Sequence, residues 1–269
     1  MKIFYHDDMD GRCCARTVLK RHTATNAELF PMQHDGREFP LNNIQKGEKV
    51  YILDYSIPKE TMNELLDITG NVIWIDHHIT AIQNYADFER RVFGLRTNGI
   101  AACELTYELL FGSKPPRYIQ LIGDRDVWKF DFGDDTRNFF AGASVEDTHP
   151  LSPVWELMHT HPEHFIEQGK IVRKYQENQC EKTLERFGYS GDLWGYSAIL
   201  CNASIFTSEL FGEEAKNFDI MVVYAFDGEK YQVSLYSTKV DVGQIAKHYG
   251  GGGHEKAAGF RCVTLPFGA

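Results

Sequence analysis

Three acidic residues and a histidine crowd the first few positions of the chain. His6, Asp7, Asp8 and Asp10 fall in the segment YHDDMDG, at the end of the first predicted strand and in the turn before Gly11. Carboxylates this close repel one another unless a cation or strong donors compensate, and a metal is the simplest compensation. The same residues also make an ordinary helix start, with Asp at the N-cap and in the first turn. Asp54 closes a second predicted strand, and Asp76, His77 and His78 close a third. In an open parallel sheet, ligands bind outside the carboxyl ends of the strands, so these segments converge on one crevice. Taken singly, Asp54 reads as a turn residue and the histidine pair as structural. Together they form a mixed histidine and carboxylate set suited to two divalent cations such as Mn²⁺ or Mg²⁺. A fourth segment, GDRDVW, offers Asp124 or Asp126. Asp124 is preferred as the ligand, with Asp126 fixing Arg125 or a loop; the sequence leaves that choice open, and a solvated Asp–Arg loop is the bland alternative.

A second kind of chemistry lies near the far end, where Gly250 to Gly253 precede His254. Backbone N–H groups in such a run suit a phosphate or a terminal nucleotide, with His254 and Lys256 as added donors. A helix C-cap or flexible linker uses the same residues. The histidines of HTHPEH (His159, His161, His164) are assigned a surface or linker role, because Pro162 interrupts the helix and no carboxylate or cysteine cluster accompanies them. Cys13, Cys14, Cys103, Cys180, Cys201 and Cys262 are scattered without zinc-like spacing and read as small buried hydrophobes.

These residues must be held by an α/β framework. Residues 1–6, 49–54 and 71–76 read as strands, and 11–22, 58–69 and 99–112 as helices, which is the alternation of a parallel sheet with crossover helices. A further helix starts at Pro115 and Pro116 and is expected to end near Gly123. Residues 130–150 break the periodicity with Gly, Asp, Ser and Pro, and a helical stripe then runs from Val154 to about residue 187. YSAILCN, FDIMVVYAF and KYQVSLYS read as strands, DVGQIAKHYG as a helix, and GGGHEKAAGFRCV as loop and strand. The expected architecture is α/β: a Rossmann-like parallel-sheet domain over 1–148, a helical linker over 149–189, and a smaller α/β domain over 190–269. No internal repeat or low-complexity tract is evident.

With 28 Lys plus Arg against 38 Asp plus Glu in 269 residues, the net charge is −10 and 43% of residues are hydrophobic, which excludes a disordered or collagen-like chain. The acidic balance opposes sequence-blind binding to long nucleic acid and leaves small anionic substrates open. No run is long and apolar enough for a membrane span, and the start MKIFYHDDMDG lacks a secretory apolar run, so a cytoplasmic protein is expected.

The segments YHDDMDG, ILDYSIP, IDHH and LIGDRDVW resemble the four motifs of the DHH phosphoesterase superfamily, and DVGQIAKHYGGGGHEKAAGF resembles the glycine-rich motif of the DHH-associated C-terminal domain. The resemblance covers most of the chain but not about 130–190. It implies that His6, Asp8 and Asp54 hold one metal ion and that Asp10, Asp54, His77 and Asp124 hold another, with Asp54 shared. It further implies that Asp76 orients a histidine, that His78 faces the substrate phosphate, and that Gly251, Gly252, Gly253, His254 and Lys256 bind substrate across an interdomain cleft. Two ions, Mn²⁺ first and Mg²⁺ second, would activate a shared water and neutralise the leaving oxygen of a phosphoester. Related sequences often carry Arg where this chain has Tyr236. Tyr236 could stack on a base, while Lys239, Arg12, Arg96 or Arg125 supplies the missing charge. The expected activity is a phosphodiesterase that degrades short oligonucleotides, nano-RNA or linear dinucleotides, to mononucleotides. A phosphatase of polyphosphate, pyrophosphate or a bisphosphorylated nucleotide is the alternative. A non-catalytic nucleotide-binding regulator is disfavoured by the full ligand set, and oligomeric state, a homodimer included, stays open.

Overall fold

A computed structural model of the chain describes residues 1–23, 26–33, 36–204 and 208–267. The chain divides into two compact units, Met1–Val172 and Arg173–Ala269.

The first unit is built on β1 (Lys2–His6), β2 (Glu28–Met32), β3 (Val50–Leu53) and β4 (Val72–Ile75), all parallel in the order β2-β1-β3-β4. KIFY, VYIL and VIWI are buried throughout, as strands of a parallel sheet covered on both faces must be. Alternation sorts them: Ile3, Tyr5, Tyr51, Leu53, Ile73 and Ile75 enter one core, and Phe4, Val50, Ile52, Val72 and Trp74 the other. The first core receives α1 (Met9–His22), α4 (Ala102–Phe111) and α5 (Arg117–Asp126); the second receives Met62 and Leu65 of α2 (Lys59–Ile68). Each such fully buried side chain contributes about 1.5–3 kcal/mol. A short helix, α3 (Ile79–Asn84), follows β4, and the chain then returns to bridge Ile73 with Phe93 and Asp76 with Arg96, extending the sheet beyond β4.

The α/β class and the parallel sheet agree with the sequence reading, and three features depart from it. The edge strand β2 was not expected, because ELFPM contains Pro31; an edge strand tolerates a proline. The supposedly irregular 130–150 segment contains α6 (Asp134–Ala143), which buries Phe139. The proposed boundary at 148 also gives way. Trp155 and Met158 of α7 (Val154–Thr160) and Phe165 and Ile166 of α8 (Pro162–Phe187) belong to the first unit's core, so half of the expected linker is part of that unit. Gly142 and Gly169 explain how α6 and α8 pack: a methyl on Gly169 would lie 1.6 Å from the Asn138 carbonyl oxygen, and one on Gly142 would lie 2.0 Å from that of Phe165. Only glycines let these helix backbones touch.

The second unit carries a six-stranded sheet. Its strands are β5 (Gly188–Leu193), β6 (Tyr196–Asn202), β7 (Ile220–Phe226), β8 (Tyr231–Tyr236), β9 (Gly252–Gly253) and β10 (Ala257–Cys262), in the order β5-β6-β7-β8-β10-β9. The β6–β7 pair is parallel and the remaining neighbours are antiparallel. One face packs Val242 and Ala246 of α9 (Val242–His248); the other packs Leu210, Phe211 and Cys180. Strand β5, with the polar sequence GYSGDL, carries no hydrophobic alternation to reveal it. Among the described residues, no helix is long and apolar enough to cross a membrane.

Candidate metal centre

The carboxyl ends of β1, β3 and β4 meet the start of α1 and the end of α5. The turn from β1 into α1 is tight because residue 11 is glycine: a methyl there would lie 2.1 Å from the His6 carbonyl oxygen. Asp8 caps α1, accepting the Gly11 N–H at 2.9 Å. Asp10, buried in the first turn, accepts from the Ala102 and Cys103 backbone N–H groups at 2.9 and 2.8 Å. It thereby serves as a remote cap for α4, whose own N-cap, Ala101, has no side-chain hydrogen bond.

Asp54 stands at the middle. Its backbone is left-handed, with φ 53°, a conformation that favours glycine and that aspartate adopts more readily than bulky residues. Its carboxylate is 1% exposed and faces three imidazoles: His6 Nδ1 at 3.5 Å, His77 Nε2 at 3.3 Å and His78 Nδ1 at 3.7 Å. His6 Nδ1 is also 2.9 Å from Asp8, and His77 Nε2 is 3.1 Å from Asp126 and 3.9 Å from Asp10. Among the described residues, three groups could hold a cation: His6, Asp8 and Asp54; Asp54, His77 and His78; and Asp10, His77 and Asp126, each with ligand atoms within 4.8 Å of one another.

Asp124, the preferred fourth-segment ligand from sequence, lies outside these groups. Helix α5 continues past Gly123 to Asp126, and two residues on a helix differ by about 200° in direction. Asp126 consequently faces His77 while Asp124 faces the following loop, accepting from Asp131 N–H at 2.8 Å, Phe132 N–H at 3.3 Å and the Thr136 hydroxyl. The sequence reading ended the helix too early to use that phase. His6, Asp8, Asp10, Asp54, Asp76, His77 and His78 lie together at this edge of the sheet. Asp76, fully buried, accepts from His78 Nδ1 at 2.8 Å and from its backbone N–H at 3.1 Å, so the histidine it orients is His78.

The electrostatics are those of crowded carboxylates. Hydrogen bonds to Asp54 and Asp8 raise His6 to about 10. Burial opposes a proton on His77, but Asp54 and the charge of Asp126 outweigh it and raise its pKa; His78 is raised chiefly by Asp76. Burial and the Asp54 charge push Asp126 up to about 6, and burial, Asp54 and Asp126 push Asp10 up. The buried atoms Asp54 Oδ1 and Asp126 Oδ2 have no hydrogen bond, although both face His77 Nε2. An unmet buried acceptor costs about 1–3 kcal/mol, more when charged. Two such oxygens turned to a common point beside imidazole nitrogens fit a hard or borderline divalent cation.

The side chains considered as sources of the positive charge that Tyr236 does not supply are already engaged. Arg12 binds Asp7 at 2.8 Å and Thr148 at 2.9 Å, Arg96 donates to the Trp74 and Val92 carbonyls, Arg125 lies over Trp128, and Lys239 donates to the Phe218 carbonyl. Tyr236 packs against the second unit's core. In the glycine-rich segment, Gly250 and Gly251 N–H groups close the end of α9 on Lys247 and Ala246, so the helix-cap reading holds for that pair. Gly252 and Gly253 form β9 against β10, and His254 exchanges backbone hydrogen bonds with Ala257 across a hairpin tip on which His254 and Lys256 are exposed.

Comparison with known proteins agrees with this layout. The family model of the DHHA1 domain matches residues 203–263. An uncharacterized protein, R106, of Acanthamoeba polyphaga mimivirus is 25% identical over 84% of this chain, which spans only 56% of that protein. Oligoribonuclease NrnB of Bacillus subtilis is 21% identical, covering 96% of this chain and 71% of its own length. The structure of PggH from Vibrio cholerae, a pGpG-specific phosphodiesterase, superposes with a TM-score of 0.55 at 14% identity, covering 97% of this chain and 93% of PggH, which supports a common fold. The DHHA1 match over residues 203–263, the similarity to NrnB and the fold shared with PggH agree with the resemblance of the four N-terminal motifs to those of the DHH phosphoesterases.

Proposed function

We propose that this protein is a metal-dependent phosphodiesterase that hydrolyses short oligonucleotides, nano-RNA or linear dinucleotides, to mononucleotides. The observation that carries the reading is the convergence of His6, Asp8, Asp10, Asp54, His77 and Asp126 at the carboxyl edge of one parallel sheet. In this reading His6, Asp8 and Asp54 hold one divalent cation and Asp10, Asp54, His77 and Asp126 a second, Mn²⁺ in preference to Mg²⁺. Bound there, divalent cations would supply Lewis-acid charge and would lower the pKa of water enough for attack at neutral pH. His78, half-exposed and held by Asp76, keeps a proton and donates it as a hydrogen bond to a substrate phosphate oxygen.

The substrate class draws on NrnB, an oligoribonuclease related along nearly the whole of this chain, and on the net charge of −10, which favours short polyanions over long ones. Of the predicted substrate-binding segment, the hairpin of Gly252, Gly253, His254 and Lys256, whose tip is exposed, is assigned to a substrate phosphate, Gly251 being held in the cap of α9. The free cysteines, five of them buried, suit a reducing cytoplasm.

The test is hydrolysis with added Mn²⁺ of 5′-phosphorylated RNA and DNA from dinucleotides to long oligomers, cyclic dinucleotides, 3′-phosphoadenosine 5′-phosphate and polyphosphate. Fastest turnover of the shortest linear oligonucleotides, abolished in Asp54→Ala, is expected. Activity confined to polyphosphate or the bisphosphate would replace this reading with a phosphatase, and metal binding with no turnover would replace it with a nucleotide-binding regulator.

A further inference from the structure

Directly after Asp126 the chain does something costly. Trp128 and Phe130, two bulky aromatic residues, both adopt left-handed backbone with φ 55°. Each such residue costs on the order of 1–3 kcal/mol, and strain of this kind persists only where surrounding contacts impose it. The contacts are identifiable. Asp124 grips the loop from inside through Asp131, Phe132 and Thr136, and Lys129 N–H donates to the Asp124 carbonyl at 3.1 Å. What the strain achieves is exposure: Trp128 is 66% accessible, whereas Trp74 and Trp155 are each 1% accessible and the Trp194 indole N–H is bonded to Tyr249. The Trp128 ring is nevertheless held. The Arg125 guanidinium lies 4.4 Å from its centroid, Phe130 meets it edge-on at 5.5 Å, and Arg137 lies 4.1 Å from the Phe130 ring. A large apolar surface is thus fixed in water two residues from a proposed metal ligand, with its ordering entropy already spent.

We infer that Trp128 is a stacking platform for a nucleobase of the substrate, making this site selective for nucleotides over base-free phosphates. The inference rests on the phosphodiesterase reading above and extends it to how the base is recognised. A purine or pyrimidine presents a flat π-face that stacks on indole whatever its sequence, and the guanidinium packed on the indole adds cation–π attraction that holds the ring in place. Asp124 acts in this scheme as a positioning residue that keeps the loop in its strained form.

Two readouts test it. With Mn²⁺, Trp128→Ala should raise KM for 5′-phosphorylated diadenylate by about 10- to 100-fold, the range expected for loss of one base–aromatic stack, with kcat little changed. The same variant should match wild type on a dinucleotide analogue lacking both bases, and Trp128→Phe should restore most of the affinity. Independently of turnover, adenosine 5′-monophosphate should quench wild-type tryptophan fluorescence, ribose 5-phosphate should not, and the quenching should vanish in Trp128→Phe. Equal KM values for wild type and Trp128→Ala on the diadenylate overturn the platform while leaving the phosphodiesterase reading intact. Absence of quenching by the monophosphate overturns it as well. Quenching that depends on Trp128 in a protein unable to cleave the diadenylate keeps the platform and removes the phosphodiesterase reading.

Discussion

Asp124 and Asp126 are two residues apart, carry the same side chain and should respond oppositely to loss of the carboxylate. Asp124 accepts three hydrogen bonds from within the first unit and is 5% exposed. Hydrogen bonds to a charged acceptor contribute about 1.5–3 kcal/mol each and are not additive. Asp124→Ala leaves two part-buried N–H groups and the buried Thr136 hydroxyl without their acceptor, so a loss of about 3–5 kcal/mol is expected. At about 2–4 °C per kcal/mol for a unit of this size, Tm falls by roughly 6–20 °C. Asp126 is the reverse case. Its pKa, raised to about 6 by burial and the Asp54 charge, lies above that of an unfolded aspartate, so the ionised form disfavours the metal-free fold once pH exceeds the unfolded value. Asp126→Asn removes that charge, and its Tm in EDTA at about pH 7.5 should equal or exceed wild type. In Mn²⁺, wild type should gain stability by ligand linkage and Asp126→Asn should gain much less. The assay is thermal unfolding of the three proteins with EDTA or Mn²⁺, paired with calorimetric Mn²⁺ titration. A stable Asp124→Ala protein that fails to bind Mn²⁺, beside an Asp126→Asn protein that binds it normally, would refute the helix-phase argument.

Three further outcomes are expected. Mn²⁺ uptake should release protons: His6, raised to about 10, carries one at neutral pH that a cation must displace, so titration enthalpies in buffers of different ionisation enthalpy should report release of about one proton or more at about pH 7.5. Affinity should fall as pH drops below about 10 and more steeply below about 6, where Asp126 also becomes protonated; an enthalpy independent of buffer would count against these ligands. Asp76→Asn should lower kcat by about 10- to 100-fold with Tm nearly unchanged in Mn²⁺, since it weakens the orientation and charge of His78 without removing a proposed ligand; full activity would exclude that role. Gly169→Ala should cost on the order of 3 kcal/mol or more in urea unfolding, because helix backbones in contact must separate to admit a methyl; a change within about 0.5 kcal/mol, the scatter for innocuous surface substitutions, would contradict the close approach.

Much of the first unit is legible in the sequence because parallel strands buried on both faces appear as unbroken apolar runs. KIFY, VYIL and VIWI each end in the residues that matter: His6, Asp54 and the triplet Asp76, His77, His78. The topological rule for open α/β sheets then gathers these ends without further information. Gly11 is legible in the same way, as the residue that lets α1 turn under His6. Harder cases share a cause, which is that their signal is not periodic. Pro31 hides β2, the polar GYSGDL hides β5, and the Gly- and Asp-rich entry to α6 resembles a loop although Phe139 and Gly142 pack as helix residues.

The sequence by itself determined the chemistry available: which side chains could hold a cation, that they end strands of one sheet, and that a glycine-rich loop follows in a second α/β unit. Tertiary structure decided which of two neighbouring aspartates faces the histidine and carboxylate cluster, because helix phase turns Asp126 to His77 and Asp124 to the loop behind it. It decided that Asp76 serves His78, and that the 149–172 segment is core rather than linker. It also showed Trp128 fixed in the open, a property of backbone dihedrals and of contacts from Asp124, Arg125 and Phe130 that no residue pattern encodes. Residue type and strand ends are local properties of the chain, whereas helix phase, strain and the partner of a buried carboxylate exist only once distant segments are packed together.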